Sequence, residues 1–192
     1  MGRPKTFDPD EAIRAATRVF QAYGYAASSP TLLADAVGVG KGSLYHAFGT
    51  KHELFMACLN RYAAEEYAEF QQLLDQPGPV RDRIRRVFEA AAAADQADPA
   101  RPGCLIVNTA TERGLSDAEA STVVWDSIAR TRTALREVLA EGARAGEVET
   151  EQDLDALADM LQCTMIGLRV LGRGSANQDS IRAVIESAIE NI

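Results

Sequence analysis

An all-α fold of about nine helices is predicted by this sequence, and three observations carry that reading. Apolar residues recur at three- and four-residue steps along almost every patterned segment, as they do on one face of a helix. Ser, Thr and Asp caps followed by Pro or Glu open these segments, and glycines close them. No stretch alternates apolar and polar residues in the manner of a half-buried strand, and no internal repeat is present. With 192 residues, 46% of them apolar, the chain can fill a core without disulfide or metal staples.

Each element has its own punctuation. Asp8-Pro9-Asp10-Glu11 supplies an N-cap, a Pro at the first helical position and a Glu three residues after the cap. Ile13, Ala16, Phe20 and Tyr23 then form one face, and Gly24 ends a first helix over about 9 to 23. Ser29-Pro30 opens a second, two-turn helix with Leu32, Leu33, Ala36 and Val37 apolar, closed by Gly38. A third runs from Lys41 to Phe48, placing Leu44 and Phe48 on one side and Lys41, Ser43, Tyr45 and His46 elsewhere. Phe20, Tyr23, Leu44 and Phe48 are expected to form the core of this small front unit. Gly49 stops the third helix, and the capping box Thr50-Lys51-His52-Glu53 opens a long fourth one reaching about Leu74.

Behind Pro77-Gly78-Pro79, Val80, Ile84, Val87, Phe88 and Ala91 mark a fifth helix, and the linker Asp98-Pro99-Ala100-Arg101-Pro102-Gly103 resets the chain. Cys104 to Arg113 and Asp117 to Ala145 follow, the latter stopped by Gly146. Thr150 and Asp153 start a helix striped by Leu154, Leu157, Leu161, Met165, Leu168 and Leu171. Ile181, Val184, Ile185, Ala188 and Ile189 stripe the last.

Gly38-Val39-Gly40-Lys41-Gly42-Ser43 has the composition of a phosphate loop but not its spacing. An NTPase loop needs Gly, four residues, then Gly-Lys-Ser/Thr; here Gly42 follows Lys41, and Asp35 stands where the first glycine belongs. A dinucleotide fingerprint needs a preceding strand, whereas a capped short helix precedes this one. Two short helices joined by a glycine turn describe a helix-turn-helix, whose second helix enters the major groove of DNA.

Phe20 through Tyr25, Leu33-Ala34 and the run from Gly38 to Leu54, with its Leu-Tyr-x-x-Phe, resemble the N-terminal domain of the TetR family of bacterial transcriptional regulators. The likeness is dense over about residues 7 to 62, while the rear agrees in length and helical content rather than in motif. It implies a DNA-binding domain over residues 1–49, and a ligand-binding and dimerisation domain over 50–192 whose first helix links the two. It further implies a homodimer on a palindromic operator of double-stranded DNA, a small-molecule effector, and a two-helix dimer interface.

Carried over position by position, Lys41, Gly42 and Ser43 face base edges; Tyr45, His46 and Lys51 reach phosphates; Ser29 and Thr31 lie at the start of the second helix where further contacts are made. The chemistry fits, since Lys can donate to guanine O6/N7 and Ser, Tyr and His to bases or phosphate oxygens. Two positions depart from the family pattern. Gly40 stands where a capping Ser or Thr is common, and Thr31 is a short substitute for longer polar or basic side chains. Arg3 and Lys5 form a basic arm suited to a minor groove, or a disordered tail.

The rear stripes Leu154, Leu157, Leu161, Leu168 and Ile181, Val184, Ile185, Ala188 exceed what one core needs, and are expected to serve a self-complementary interface; a monomer core is the other reading. Trp125, Met160, Gln162, Cys163 and Met165 are candidates for an apolar effector cavity, or plain core. Pro102-Gly103-Cys104-Leu105-Ile106-Val107-Asn108 puts a thiol at a helix start, where free amides and the dipole lower a thiol pKa. The Gly-Cys-Leu stretch is similar to one in a family branch that includes drug-responsive and electrophile-sensing repressors. Cys104 and Asn108 are therefore pocket candidates. Cys104 is either a reactive thiol of an electrophile- or redox-sensing repressor or a buried small apolar residue.

Net charge is −8, but residues 1–61 hold seven Lys+Arg against five Asp+Glu while 62–192 hold thirteen against twenty-three, so only the front can approach a polyanion. His46 and His52 both lie in the front unit, and neither a catalytic triad nor a metal cluster can be assembled, which argues against an enzyme and against a cofactor or metal. Three Cys without metal spacing, no signal-peptide pattern and no run of about 18 apolar residues lead to the expectation of a soluble, cytoplasmic protein with no membrane partner. A DNA-free helical interaction module is the remaining alternative function.

Overall fold

The computed structural model describes residues 8–94, 103–149, 151, 153–174 and 177–192. Among them run nine helices: α1 (Pro9–Ala27), α2 (Pro30–Val37), α3 (Lys41–Phe48), α4 (Lys51–Leu74), α5 (Val80–Ala93), α6 (Leu105–Arg113), α7 (Ala118–Ala145), α8 (Leu154–Arg173) and α9 (Gln178–Glu190). The all-α class therefore holds. The arm residues Arg3 and Lys5, the linker at 98–102, and Thr150 lie outside the described residues.

Local chemistry sets the boundaries. Asp8, Ser29, Asp117, Asp153 and Asn177 each accept from first-turn amides of the helix they cap. Thr50 and Glu53 form the reciprocal box, with Glu53 N–H donating to Thr50 Oγ1 at 3.1 Å and Thr50 N–H to Glu53 Oε2 at 2.6 Å. Those bonds from Thr50 hold the Glu53 carboxyl below its ordinary range. At the preceding Gly49, φ is +78° and ψ −116°, a conformation open to glycine, and an added Cβ would also run into the Glu53 carboxylate.

The structure corrects two expectations at the front. α1 does not finish at Tyr23; it breaks at Gly24 (φ 74°, ψ 176°) and makes a further turn to Ala27. Tyr23 is not core but 58% exposed. Beyond the break Tyr25 takes the inward place, its ring 4.9 Å from that of Phe55 and 6.2 Å from that of Phe20. Phe20 and Leu44 are fully buried, as expected, and Phe48 is half-buried.

Two hydrophobic cores share the long helices. The front core joins α1, α2, α3 and the first half of α4 to Leu105 and Ile106 of α6 and Ala120 and Val124 of α7. The rear core joins Phe70 and Leu74 at the end of α4 to α5, the second half of α7, α8 and α9. Because α4 and α7 each serve both, the front helices are packed onto the rear bundle rather than tethered to it.

Candidate nucleic-acid interface and effector cavity

α3 is positioned from inside by Leu44 and from before by a glycine turn. Gly38 adopts the left-handed conformation, its N–H reaching Asp35 O at 3.1 Å, and Val39 N–H reaches Ala34 O at 3.1 Å. Gly40 then starts α3 with no side-chain cap, so the first-turn amides stay open. Lys41, Gly42, Ser43 and His46 are exposed, and space around Gly42 is empty enough that a Cβ there would meet nothing within 4 Å. Thr31 is exposed, and Ser29 is exposed while capping Leu32 N–H at 3.2 Å.

Two expected phosphate contacts are placed differently. The Tyr45 hydroxyl is buried without a hydrogen-bond partner, and burial first, then Tyr25, raises its pKa. In this arrangement it faces inward, so contact with a phosphate requires the ring to turn out. Lys51 Nζ lies 3.4 Å from Ala26 O and 4.5 Å from the centre of the Tyr25 ring, tying α4 to the end of α1. Burial lowers its pKa, with Glu112 opposing that and Arg113 adding to it.

The end of α1 is also gripped by α6, a feature the sequence does not announce. Glu112 accepts from Tyr25 N–H and Ala26 N–H, one oxygen each, at 2.7 Å. A Cβ on Gly24 would stand 2.6 Å from Glu112 Oε2, so glycine is what allows the approach. Arg113 covers the Tyr25 ring at 4.4 Å and donates to Asp117 Oδ2 at 2.9 Å, which His52 Nε2 also meets at 3.0 Å. Gln21 Nε2 donates to Gly103 O at 2.9 Å, and Asn108 Nδ2 to Gln21 O at 3.1 Å.

Burial alone would raise the pKa of Asp117, but the bonds from Arg113, Ala120 N–H and His52 together lower it. A depressed carboxyl contributes stability above its unfolded pKa of about 3.9 and loses it as pH falls through the folded value. The thermal-stability gap between the wild type and Asp117→Asn is thus expected to be present at neutral pH and to shrink in acid. A gap that is constant with pH in thermal melts would remove Asp117 ionisation from this account.

A cavity of about 270 Å³ lies between α4, α5, α6, α7 and α8. Cys104, Gln162 and Met165 line it, as expected. The other pocket candidates do not: Trp125 is 56% exposed on α7, Cys163 is exposed on α8, Met160 packs against the rear core, and Asn108 is held between Gln21 and Arg173. Residues not foreseen take their place. Tyr62 and Glu66 from α4 and Arg169 from α8 form a polar end, with Arg169 paired to Glu66 and Cys104 Sγ 3.4 Å from Glu66 Oε2.

This environment does not favour the reactive-thiol alternative. Cys104 stands at the N-cap position of α6 without a side-chain capping bond and is only 5% exposed, and its pKa is pushed up to about 12, by burial first and by the Glu66 charge second. Desolvation beats the helix dipole. Brief iodoacetamide treatment of the folded protein at pH 8 should modify exposed Cys163 and leave Cys104 and buried Cys58 intact by peptide mass spectrometry. Alkylation of Cys104 as fast as Cys163 would restore the sensing reading.

The expected dimer stripe is likewise corrected. Leu157, Leu161, Leu168, Ile181, Ile185 and Ala188 are buried in the protomer's own core, which claims them because α8 and α9 pack on α5 and α7. Val184 is exposed and Leu154 half-buried. α8 instead exposes Cys163, Val170 and Leu171, with half-buried Gly167 between them in helical register, and α9 exposes Val184.

A glycine-turn helix pair exposing a polar recognition helix, packed onto a helical bundle that encloses a cavity, defines a DNA-binding transcriptional regulator of the helix-turn-helix class. The family profile for bacterial regulatory proteins of the tetR family matches residues 12–58, and the profile for the tetracyclin repressor-like C-terminal domain matches residues 79–189. The chain belongs to the TetR family. It is 29% identical over 98% of both chains to the uncharacterised HTH-type regulator YezE of Bacillus subtilis, and 28% identical to the HTH-type repressor ComR of Escherichia coli over 95% of this chain and 88% of that one. A CifR cysteine mutant of the TetR family, solved with a 26bp double-strand operator DNA, superposes with a TM-score of 0.85, at 28% identity over 98% of both chains.

Proposed function

We propose that this chain is a homodimeric repressor that leaves a palindromic operator when a small molecule enters the cavity. The observation that carries the coupling is the course of α6: its start contributes Cys104, Ile106 and Val107 to the cavity wall, and its end, through Glu112 and Arg113, holds α1. The DNA-binding unit is residues 1–49, with α4 linking it to the ligand-binding and dimerisation part, 50–192. Lys41, Gly42 and Ser43 meet base edges; His46, Ser29 and Thr31, with Tyr45 turned outward, meet the sugar-phosphate edge. The solved operator complex of CifR and the repressor relatives support a DNA-binding repressor.

The apolar outward face of α8 and α9, with Val170, Leu171 and Val184, joins the two copies. Their recognition helices must lie about 34 to 36 Å apart to meet successive major grooves. An effector that prefers another α6 position shifts the population away from that spacing, acting only through its differential affinity. The negative rear charge keeps that part off DNA in the cytoplasm.

Selecting bound fragments from the source genome and screening metabolites for release tests the scheme. Effector binding is expected to weaken operator affinity by about 5- to 150-fold in the wild type, and much less in Glu112→Ala, where the amides at Tyr25 and Ala26 lose their acceptor. No palindromic fragment retained at low salt would favour a DNA-free interaction module. A Glu112→Ala protein released as well as wild type would move the coupling elsewhere.

A further inference from the structure

The charges around the cavity restrict what its occupant can carry, an argument that rests on the effector reading above. Three carboxylates line the cavity, Glu65, Glu66 and Glu69, against one cationic side chain among the described residues, Arg169. Glu65 is taken by Arg61 at 2.7 Å and lies exposed with Glu69, so the inner polar end is the Glu66–Arg169 pair, whose side chains are 20% and 18% exposed.

The two oxygens of Glu66 are not equally occupied. Oε1 accepts from Arg169, while Oε2 faces the Cys104 thiol at 3.4 Å, a weak donor. An O–H or N–H in place of the thiol would give Oε2 a stronger partner. A carboxylate gains nothing comparable. It would stand as a second anion beside the part-buried Glu66 carboxylate. The remaining wall is mostly apolar, with Phe70, Val87, Ile128 and Met165, beside a polar strip of Ser127, Thr131 and Gln162 in which Thr131 Oγ1 donates to Gln162 Oε1 at 2.9 Å, and the volume of about 270 Å³ falls just below the range of drug-sized sites.

We infer that the effector is a compact, mainly apolar molecule whose single polar head, a hydroxyl or an amine, donates a hydrogen bond to Glu66, and that it bears no carboxylate. Glu66 sets head-group specificity and Arg169 holds Glu66 in place.

Phenylpropanol, phenylpropylamine and phenylpropanoate share one apolar body and differ at the head, so they serve as probes in calorimetric titrations of the full-length protein at neutral pH. The alcohol and the amine are expected to bind, with the carboxylate weaker by at least about tenfold. Glu66→Gln removes the negative charge that repels an incoming carboxylate and should improve phenylpropanoate by about tenfold or more, while weakening the amine. Met165→Trp, which narrows the cavity, should weaken the binding of every probe that the wild type takes up. A carboxylate bound by the wild type as tightly as the alcohol, or not improved by Glu66→Gln, overturns the head-group inference and leaves the cavity reading standing. The wild-type order alone decides this if Glu66→Gln fails to fold. No probe binding, or binding indifferent to Met165→Trp, overturns the cavity reading and the inference with it.

Discussion

Lys41→Ala combined with Ser43→Ala is expected to abolish specific operator binding while leaving the fold and the melting temperature unchanged. Both side chains are exposed on the first turn of α3 and make no contact that supports the core, so the folded state has little to lose. On DNA, each lost base-edge contact costs about 1–3 kcal/mol, and a dimer loses each twice. Even at the low end, the four losses amount to more than about a hundredfold in affinity. His46→Ala, by contrast, should weaken all sequences about equally, because a phosphate contact carries no sequence information. Fluorescence anisotropy with operator and scrambled duplexes separates the two. Retention of operator preference by the double variant would place sequence reading outside α3.

Phe55→Ala should produce the largest loss of stability, about 3–5 kcal/mol. Phe55 is 1% exposed at the join between the head and the bundle, its ring edge-on to Phe20 at 5.1 Å and to Tyr25 at 4.9 Å. Removing it opens a cavity under the residue that Lys51 and Arg113 cover, so the loss reaches the α1–α6 contact as well as the core. Denaturant unfolding monitored by circular dichroism reads the change. A loss under about 1 kcal/mol would mean that the site collapses around the deletion, and that the aromatic cluster contributes little.

Much of this architecture is legible in the sequence because it is written in short-range signals. Asp8-Pro9, Ser29-Pro30 and Thr50 through Glu53 open helices for reasons confined to one turn, and Gly38 closes one for the same kind of reason. The exposure of Lys41 and Ser43 follows from their place on the motif, and nothing distant alters it. Tyr23 and Tyr25 mark where that stops working. A single left-handed glycine between them exchanges which ring points inward, and the periodicity of α1 carries no trace of it. Glu112 with Tyr25, Glu66 with Arg169, and His52 with Asp117 join positions far apart in the chain, so their pairing depends on tertiary packing alone. The rear stripes were ambiguous for a related reason. An apolar stripe shows that Leu157 or Ile185 must be covered, without showing whether its own fold or a second copy covers it.

The shared front core bears on how regulators of this kind can be recombined. Leu105, Ile106, Ala120 and Val124 are structural members of the same packed unit as Phe20, Leu33 and Leu44. Cutting the chain after α3 would therefore strip the front helices of the α4, α6 and α7 residues that complete their core, and grafting a foreign head at Gly49 would set unrelated side chains against α6 and α7. A chimera that keeps both operator choice and effector response must carry the matching halves of α4, α6 and α7 with the head, so the boundary for exchange is a packing surface and not a point in the sequence.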